Sequence, residues 1–374
     1  MKKIQMVDLG GQYQKIKPEV DAAIQEVIGQ TAFINGPAVQ QFQKQLENYL
    51  GVKHVIPCAN GTDALQIAIM ALGLKPGDEV ITTPFTFIAT VEVVGLLGIT
   101  PVFVDVDPET FNMDVRQIEA AITPRTKAIV PVHLFGQCCD MEALMNIAGK
   151  YGLAVIEDAC QSIGADYRFK DGSTKKSGTI GHIGCTSFFP SKNLGCYGDG
   201  GAIFTNNDEL AKKMRIIANH GMETRYYHDV VGVNSRLDSM QAAVLDVKLK
   251  HLDEYILARQ KAATFYDNAF ANNPKILTPT RNLQSTHVFH QYTLKLQWAN
   301  RDKLQKVLAE KDIPAMIYYP MPLHLQKAYC DERYRNGDFP VAERLCECVL
   351  SLPMHTELDE EQLEYIAMTI IELV

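Results

Sequence analysis

Lys192 stands in a polar turn, Pro190-Ser191-Lys192-Asn193-Leu194-Gly195, which leaves the apolar run 186–189 and enters a glycine-rich return ending at Gly201. A lysine held beside aromatic residues in a rigid turn can lose part of its proton affinity, and its amine then becomes a nucleophile. Taken by itself the segment fits a surface loop with a solvated lysine better, since lysine is usually exposed. Ser187, just upstream, is placed to hold a phosphate oxygen. A second segment, Val155-Ile156-Glu157-Asp158-Ala159-Cys160-Gln161-Ser162, ends a buried-type strand in two acids. A cofactor with a protonated ring nitrogen needs a buried carboxylate beside it, and Asp158 meets that need. As an isolated residue, Asp158 fits the N-cap of a following helix as well.

A third segment, Cys58-Ala59-Asn60-Gly61-Thr62-Asp63-Ala64-Leu65, joins an apolar strand to an amphipathic helix. Gly61 admits close backbone approach. Thr62 and Asp63 suit a first helical turn, whose free N–H groups and positive dipole end attract an anion. A phosphate cradle and a plain N-cap both satisfy this pattern; a Walker loop does not, because GxxxxGK[ST] is absent. A fourth segment, Pro84-Phe85-Thr86-Phe87, puts an aromatic ring after a strand, where Phe87 either stacks on a ligand ring or joins the core. Each motif alone is weak. Together they supply a phosphate site, a ring-nitrogen carboxylate and an amine, the three functions that pyridoxal 5′-phosphate requires.

These motifs need a scaffold that brings strand ends together. Short β-branched runs at 54–57, 79–82, 102–104, 128–132, 154–156, 186–189 and 202–205 alternate with helix-period segments such as 62–74 and 140–151, and 209–219 follows. That alternation predicts a mostly parallel sheet covered by helices on both faces, with ligands at the carboxyl ends of its strands. Residues 237–273 contain no proline and are expected to form one long helix leading into a smaller α+β region. There, 291–296 and 316–319 read as strands, and 301–310 and 359–372 as helices. The expected division is 1–250 for a large α/β domain with an N-terminal arm, and 251–374 for a small C-terminal α+β domain. The first 30 or so residues are expected beside the small domain, and the loop 167–184 beside the pocket.

Hydrophobic residues make up 47% of the 374-residue chain and charged residues 21%, the profile of an ordinary globular protein. The formal net charge of −8 argues against a nucleic-acid or anionic-membrane surface. No apolar stretch is long enough to span a bilayer and no signal peptide follows the first residues, so a cytoplasmic protein is expected. The nine cysteines, Cys58, Cys138, Cys139, Cys160, Cys185, Cys196, Cys330, Cys346 and Cys348, show no CxxC knuckle. Free thiols, mostly buried, and no metal site are the expectation.

The set NGTDAL, IEDACQS, SFFPSKNLG, CYGDGGAIFT and GVNSRLDSMQAA resembles the DegT/DnrJ/StrS-type nucleotide-sugar aminotransferases, fold-type-I pyridoxal phosphate enzymes. The likeness runs from Val7-Asp8-Leu9 to Ser351-Leu352-Pro353-Met354-His355 and implies a central, mostly parallel seven-stranded sheet. It implies that Lys192 forms the internal aldimine, that Asp158 holds the pyridine nitrogen, and that Gln161 contacts the ring hydroxyl. Gly61, Thr62 and Ser187 would bind the phosphate, with Asn234 reaching it from a second subunit, so that a homodimer shares its active sites. Arg236 would approach a substrate carboxylate, to which its forked donors are suited. Tyr318 and Tyr319 stand where other branches carry a His-Tyr pair, and both are expected at the substrate. His324 offers a further polar group there, or is a packed histidine.

Lys192 sets the chain apart from dehydratases of the family, which carry histidine there. Within the family the nearest likeness is to enzymes that aminate C3 of UDP-2-acetamido-2-deoxy-3-oxo-glucuronate. The expected reaction is therefore transfer of an amino group, with glutamate as donor, to that nucleotide sugar, for surface polysaccharide or lipopolysaccharide synthesis. The alternatives are C3 or C4 amination of a dTDP-, UDP- or GDP-linked keto-deoxyhexose, and a non-catalytic regulator keeping the fold. A desulfurase-like reaction would need a nucleophilic cysteine in a flexible loop, and none is evident.

Overall fold

The computed structural model describes residues 2–297, 300–329 and 332–374. The helices are α1 (Leu9–Gln30), α2 (Pro37–Leu50), α3 (Gly61–Ala71), α4 (Ala89–Leu96), α5 (Ile118–Ala121), α6 (Met141–Tyr151), α7 (Asp208–Ala218), α8 (Ser239–Leu249), α9 (Leu252–Phe270), α10 (Arg301–Glu310), α11 (Pro340–Cys348) and α12 (Glu360–Leu373). Their ends follow local chemistry. Pro37 opens α2 and Gly51, at φ 64°, closes it in the left-handed region that glycine tolerates. Asp140 caps α6 through the Ala143 amide, and Asp359 and Gln362 close a reciprocal capping box at α12.

Seven strands form the main sheet: β1 (His54–Cys58), β2 (Glu79–Thr82), β3 (Thr100–Phe103), β4 (Thr126–Ile129), β5 (Ala154–Asp158), β8 (Ile183–Ser187) and β9 (Gly201–Thr205). Their order is β1-β9-β8-β5-β4-β2-β3. Pairing is antiparallel only on the two sides of β9, so one strand runs against the other six. All seven apolar runs read from the sequence overlap strands of this sheet, although 128–132 and 186–189 meet β4 and β8 by only two residues each. Most of their residues are buried, because helices cover both faces. On one face, residues of α2, α6 and α8, such as Phe42, Leu46, Leu144 and Leu245, pack against Val55, Ile81 and Val155. On the other, residues of α3, α4 and α7, such as Leu65, Val93 and Met214, pack against Ile56, Val80 and Ile156.

This topology decides where chemistry can occur. Because β1, β5 and β8 run the same way, Cys58, Asp158 and Ser187 end at the same edge of the sheet, where β9 begins at Gly201. The three motif-bearing connections therefore converge there.

A smaller antiparallel sheet, β10 (Ile276–Leu277), β11 (Tyr292–Leu296) and β12 (Val349–Leu352), has its own core with Tyr266, Phe270, Leu308 and Ile366. Helix α9 serves both cores, with Leu252 and Ile256 in the first and Ala262 to Phe270 in the second. The N-terminal residues lie against the smaller sheet: Ile4 joins its core, and Gln362 donates to the carbonyls of Lys2 and Lys3. The helix α1 that follows packs on α8 instead.

Three expectations change. The 237–273 stretch is two helices, not one, with the break at Lys250-His251, where the amides of both residues bond three residues back. Neither proline nor glycine marks that break; α8 is held between α1 and α2 while α9 must turn toward α12. The 316–319 segment is not a strand, since only Met316 bridges, to Ser351. The 167–184 region, expected as a loop, is largely a hairpin, β6 (Asp166–Arg168) and β7 (Thr174–Lys176), before it enters β8. Tyr167 buries its ring in the first core and its hydroxyl bonds Asp140, which draws the hairpin onto α6. The eight described cysteines are all free, seven of them buried and Cys160 half-buried; Cys330 lies outside the described residues.

Candidate active site

The N-terminus of α3 is capped by Asn60, whose side chain accepts from the Asp63 amide, while the Ala64 amide bonds the Asn60 carbonyl. The amides of Gly61 and Thr62 have no acceptor among the described residues, so two donors and the positive end of the helix face outward. A Cβ on Gly61 would lie 2.7 Å from the Ser187 Cβ and 3.0 Å from the Cys160 Sγ. Three separate motifs thus meet at this glycine. The Ser187 hydroxyl accepts from the Phe189 amide at 3.2 Å, which leaves its own proton to donate.

Asp158 and Glu157 end the same strand and do different work. The fully buried Glu157 accepts from the amides of Gly178, Ile180 and Gly181 at 2.9, 2.6 and 2.5 Å, and pairs with His133 Nε2 at 2.8 Å. The Cys139 amide donates to His133 Nδ1, so Nε2 carries the hydrogen that meets Glu157. This carboxylate has every site filled and pins the 178–181 turn to β5. Asp158 is also buried but keeps free capacity: Oδ1 accepts from the Cys160 amide at 3.2 Å and Oδ2 from the Thr90 hydroxyl at 2.8 Å. It caps a tight turn and not an α-helix.

Lys192 is half-buried, and its amide is bonded to the Phe189 carbonyl. Its Nζ has no hydrogen-bond or ion-pair partner among the described residues. Burial lowers its pKa below the usual lysine range, while Cys160 and Asp158 oppose that shift. A lowered proton affinity makes such an amine a readier nucleophile and base. The Cys160 thiol is pushed well up by burial and by the Asp158 charge, so it stays neutral beside the lysine. His290, buried nearby with an unpartnered Nδ1, is pushed far down by burial and by the positive charges of Lys192 and Arg259. It was not legible in the sequence, where it only precedes a strand.

Gln161 accepts from the Phe135 amide at 2.8 Å and donates to the Tyr319 hydroxyl at 3.2 Å. The Tyr319 ring lies 6.1 Å from Phe85 and 6.4 Å from the exposed Phe87, with Tyr318 beside it. Gly61 meets Ser187 and Cys160, Gln161 meets Tyr319 with Phe87 and Tyr318 beside it, and Lys192 lies within the electrostatic reach of Asp158 and Cys160 at the same end of the sheet. Asn234 and Arg236 are not joined to Lys192 within the chain. Asn234 is exposed, and Arg236 Nη1 donates to Asn219 at 3.4 Å. His324 is fully buried against Phe339 and paired with Glu343 at 3.1 Å, so it packs and is not presented to a ligand.

These residues fit pyridoxal 5′-phosphate: two free amides and a hydroxyl for its phosphate, a carboxylate with spare lone pairs for its ring nitrogen, and an unpartnered amine. Gly61→Ala tests the cradle. The variant is expected to lose about 1–3 kcal/mol of stability as α3 is forced off the end of β8, and to bind the cofactor at least about tenfold more weakly. Apoprotein melting and cofactor titration read the two effects, and wild-type affinity would remove Gly61 from the site.

The family model described as the DegT/DnrJ/EryC1/StrS aminotransferase family matches residues 14–371. The chain is 50% identical over 363 residues to the UDP-2-acetamido-2-deoxy-3-oxo-D-glucuronate aminotransferase of Pseudomonas aeruginosa, covering 97% of this chain and 98% of that one. It is 49% identical over 371 residues to a pleiotropic regulatory protein of Geobacillus stearothermophilus, covering 99% and 98%. The crystal structure of NtdA from Bacillus subtilis with bound cofactor PMP matches with a TM-score of 0.88 at 34% identity, over 96% of this chain and 82% of that one.

Proposed function

Since this chain belongs to the DegT/DnrJ/EryC1/StrS aminotransferase family, we propose that it moves an amino group from glutamate to C3 of UDP-2-acetamido-2-deoxy-3-oxo-glucuronate. That it is a pyridoxal-phosphate-dependent sugar aminotransferase follows from the family and its relatives. The observation that carries the reading is the convergence of Lys192, Asp158 and the Gly61–Ser187 contact at one edge of the sheet. The choice of sugar is supported by the 50% identity to the Pseudomonas enzyme across nearly both whole chains.

The cofactor, when bound, supplies an aldehyde that takes up amines and a ring that accepts electrons. The Gly61 and Thr62 amides and the Ser187 hydroxyl would bind its phosphate, Gln161 its ring hydroxyl, and Phe87 would pack against its ring. Asp158 keeps a proton at the ring nitrogen. Lys192 Nζ, with a lowered proton affinity, takes the α-proton of the donor and returns a proton to the product carbon. Because the two stages use one site in turn, ping-pong kinetics are expected. The exposure of Asn234, whose neighbour Ser235 accepts from the Ala59 amide at 3.0 Å beside the cradle, supports a homodimer in which Asn234 and Arg236 complete the partner's site at phosphate and carboxylate. Tyr318 and Tyr319 border the sugar. The remaining assignments are a large domain over 1–250, a small one over 251–374, a cytoplasmic setting, and a product destined for surface polysaccharide such as lipopolysaccharide.

A regulatory role is the second reading, favoured by the likeness to the Geobacillus protein. It needs neither a reactive amine nor a ring-nitrogen carboxylate, and this chain keeps both. One spectrum separates the two. The purified protein should show a visible cofactor band that moves to shorter wavelength with glutamate, and UDP-2-acetamido-2-deoxy-3-oxo-glucuronate should restore it. Restoration only by a dTDP- or GDP-linked keto-sugar would transfer the assignment to that substrate. A protein colourless after added pyridoxal phosphate would bring the regulatory reading forward.

A further inference from the structure

The segment that leads from β2 into the first turn of α4, Pro84-Phe85-Thr86-Phe87-Ile88-Ala89-Thr90, holds two threonines that the proposed reaction leaves unused. Both are buried, each 2% exposed. Thr90 lies in the first turn of α4, and its Oγ1 is 2.8 Å from Asp158 Oδ2. Behind it, Thr86 Oγ1 lies 3.3 Å from Thr90 Oγ1. An ionised carboxylate only accepts, so the Thr90 proton points to Asp158, and the Thr90 oxygen is left to accept from Thr86. The chain of hydroxyls has one direction, Thr86 to Thr90 to Asp158, and each bond polarises the next.

The Cys160 amide occupies the other oxygen of Asp158 at 3.2 Å. The two donors approach from different elements, α4 and the turn after β5, and together they restrict rotation of the carboxylate. About four lone-pair sites exist on a carboxylate, so capacity remains for a ring N–H. The other titratable groups that face Asp158 are Lys192, Cys160, Cys185 and Tyr319. The Cys160 thiol also lies within hydrogen-bonding reach of it.

We propose that Thr90, backed by Thr86, is a positioning residue that holds the Asp158 carboxylate correctly turned toward the ring nitrogen of the cofactor. This rests on the reading of the site given above. A buried threonine in a helical turn can also serve only by packing its methyl group, and the two roles call for opposite substitutions. Thr90→Val keeps the shape and removes the hydroxyl; Thr90→Ser keeps the hydroxyl and removes the methyl.

Full-length apoproteins are titrated with pyridoxal phosphate, followed by the visible band, and their melting is recorded without cofactor. Thr90→Ser is expected to bind within about threefold of wild type. Thr90→Val is expected to bind about tenfold to a hundredfold more weakly, the loss that one hydrogen bond to a charged group implies. Wild-type affinity in Thr90→Val, or equal weakening in Thr90→Ser, would overturn the proposal. If Thr90→Val does not fold, Thr86→Val decides: a several-fold loss supports the relay and an unchanged affinity overturns it. A wild-type protein that binds no cofactor is a separate outcome, seen in the first titration, and it removes the site reading and this inference together.

Discussion

Lys192→Ala is expected to fold, to melt within a few degrees of wild type and to turn over no substrate. The stability half of this result follows from the lysine's surroundings. Its Nζ makes no hydrogen bond or ion pair among the described residues, and burial already disfavours its charge, so removing it breaks no contact on which the fold depends. The neighbouring turn is held by backbone, through the Lys192 amide on Phe189 and the Cys196 amide on Phe188, and both bonds survive truncation. The activity half follows from the absence of a substitute. Cys160 is neutral, and His290, also neutral, has no route to a proton at the reacting carbon that the structure displays. Loss of the general base alone costs about 10²–10⁴-fold, and the covalent attachment point is lost with it. Melting curves and 2-oxoglutarate formation measure the two halves. Turnover within about tenfold of wild type would end the assignment of Lys192.

Asp158→Asn is the second large effect. The substitution keeps size and shape but replaces an anion that accepts by an amide that also donates. The Cys160 amide can still bond Oδ1, and the Thr90 hydroxyl can turn to accept, so the fold is expected to hold at wild-type stability or slightly above, since a buried charge has gone. A ring nitrogen facing the amide has no anion to keep its proton, and the ring then accepts electrons poorly. Turnover is expected to fall about 10²–10³-fold, the scale for removing one fixed electrostatic partner of a reacting centre. The spectral change with glutamate should slow in proportion, because the loss lies in proton transfer and not in sugar binding. A variant with full activity and a shifted melting point would make Asp158 a structural residue.

Much of the scaffold was legible before any coordinates. Strand and helix follow from periods of two and 3.6, and the strands of the main sheet overlap the apolar runs, β8 and β4 by only two residues each. Boundaries were less legible. The break between α8 and α9 has no proline or glycine; it exists because two helices pinned to different neighbours cannot share one axis. The 316–319 segment has strand-forming residues but only one bridge, because pairing depends on what lies alongside.

At the site, the residue types were visible and their division of labour was not. Nothing local separates Glu157 from Asp158; burial among three amides and His133 makes the first structural, and two donors with room to spare leave the second for chemistry. His324 looked as polar as any substrate ligand, yet packing around Phe339 closes it off. Thr90 and His290 carried no signal, since a threonine four residues from another, or a histidine before a strand, is ordinary.

The sequence by itself determined the order of strands and helices, the three strand-end motifs and the chemical groups they hold, because these depend on side-chain type and short-range periodicity. Only the tertiary structure decided which ends share an edge, which carboxylate stays available and which amine is left without a partner. Those outcomes depend on the strand order of the sheet and on burial, and residues as far apart as Gly61, Asp158 and Lys192 become neighbours only when the sheet has formed.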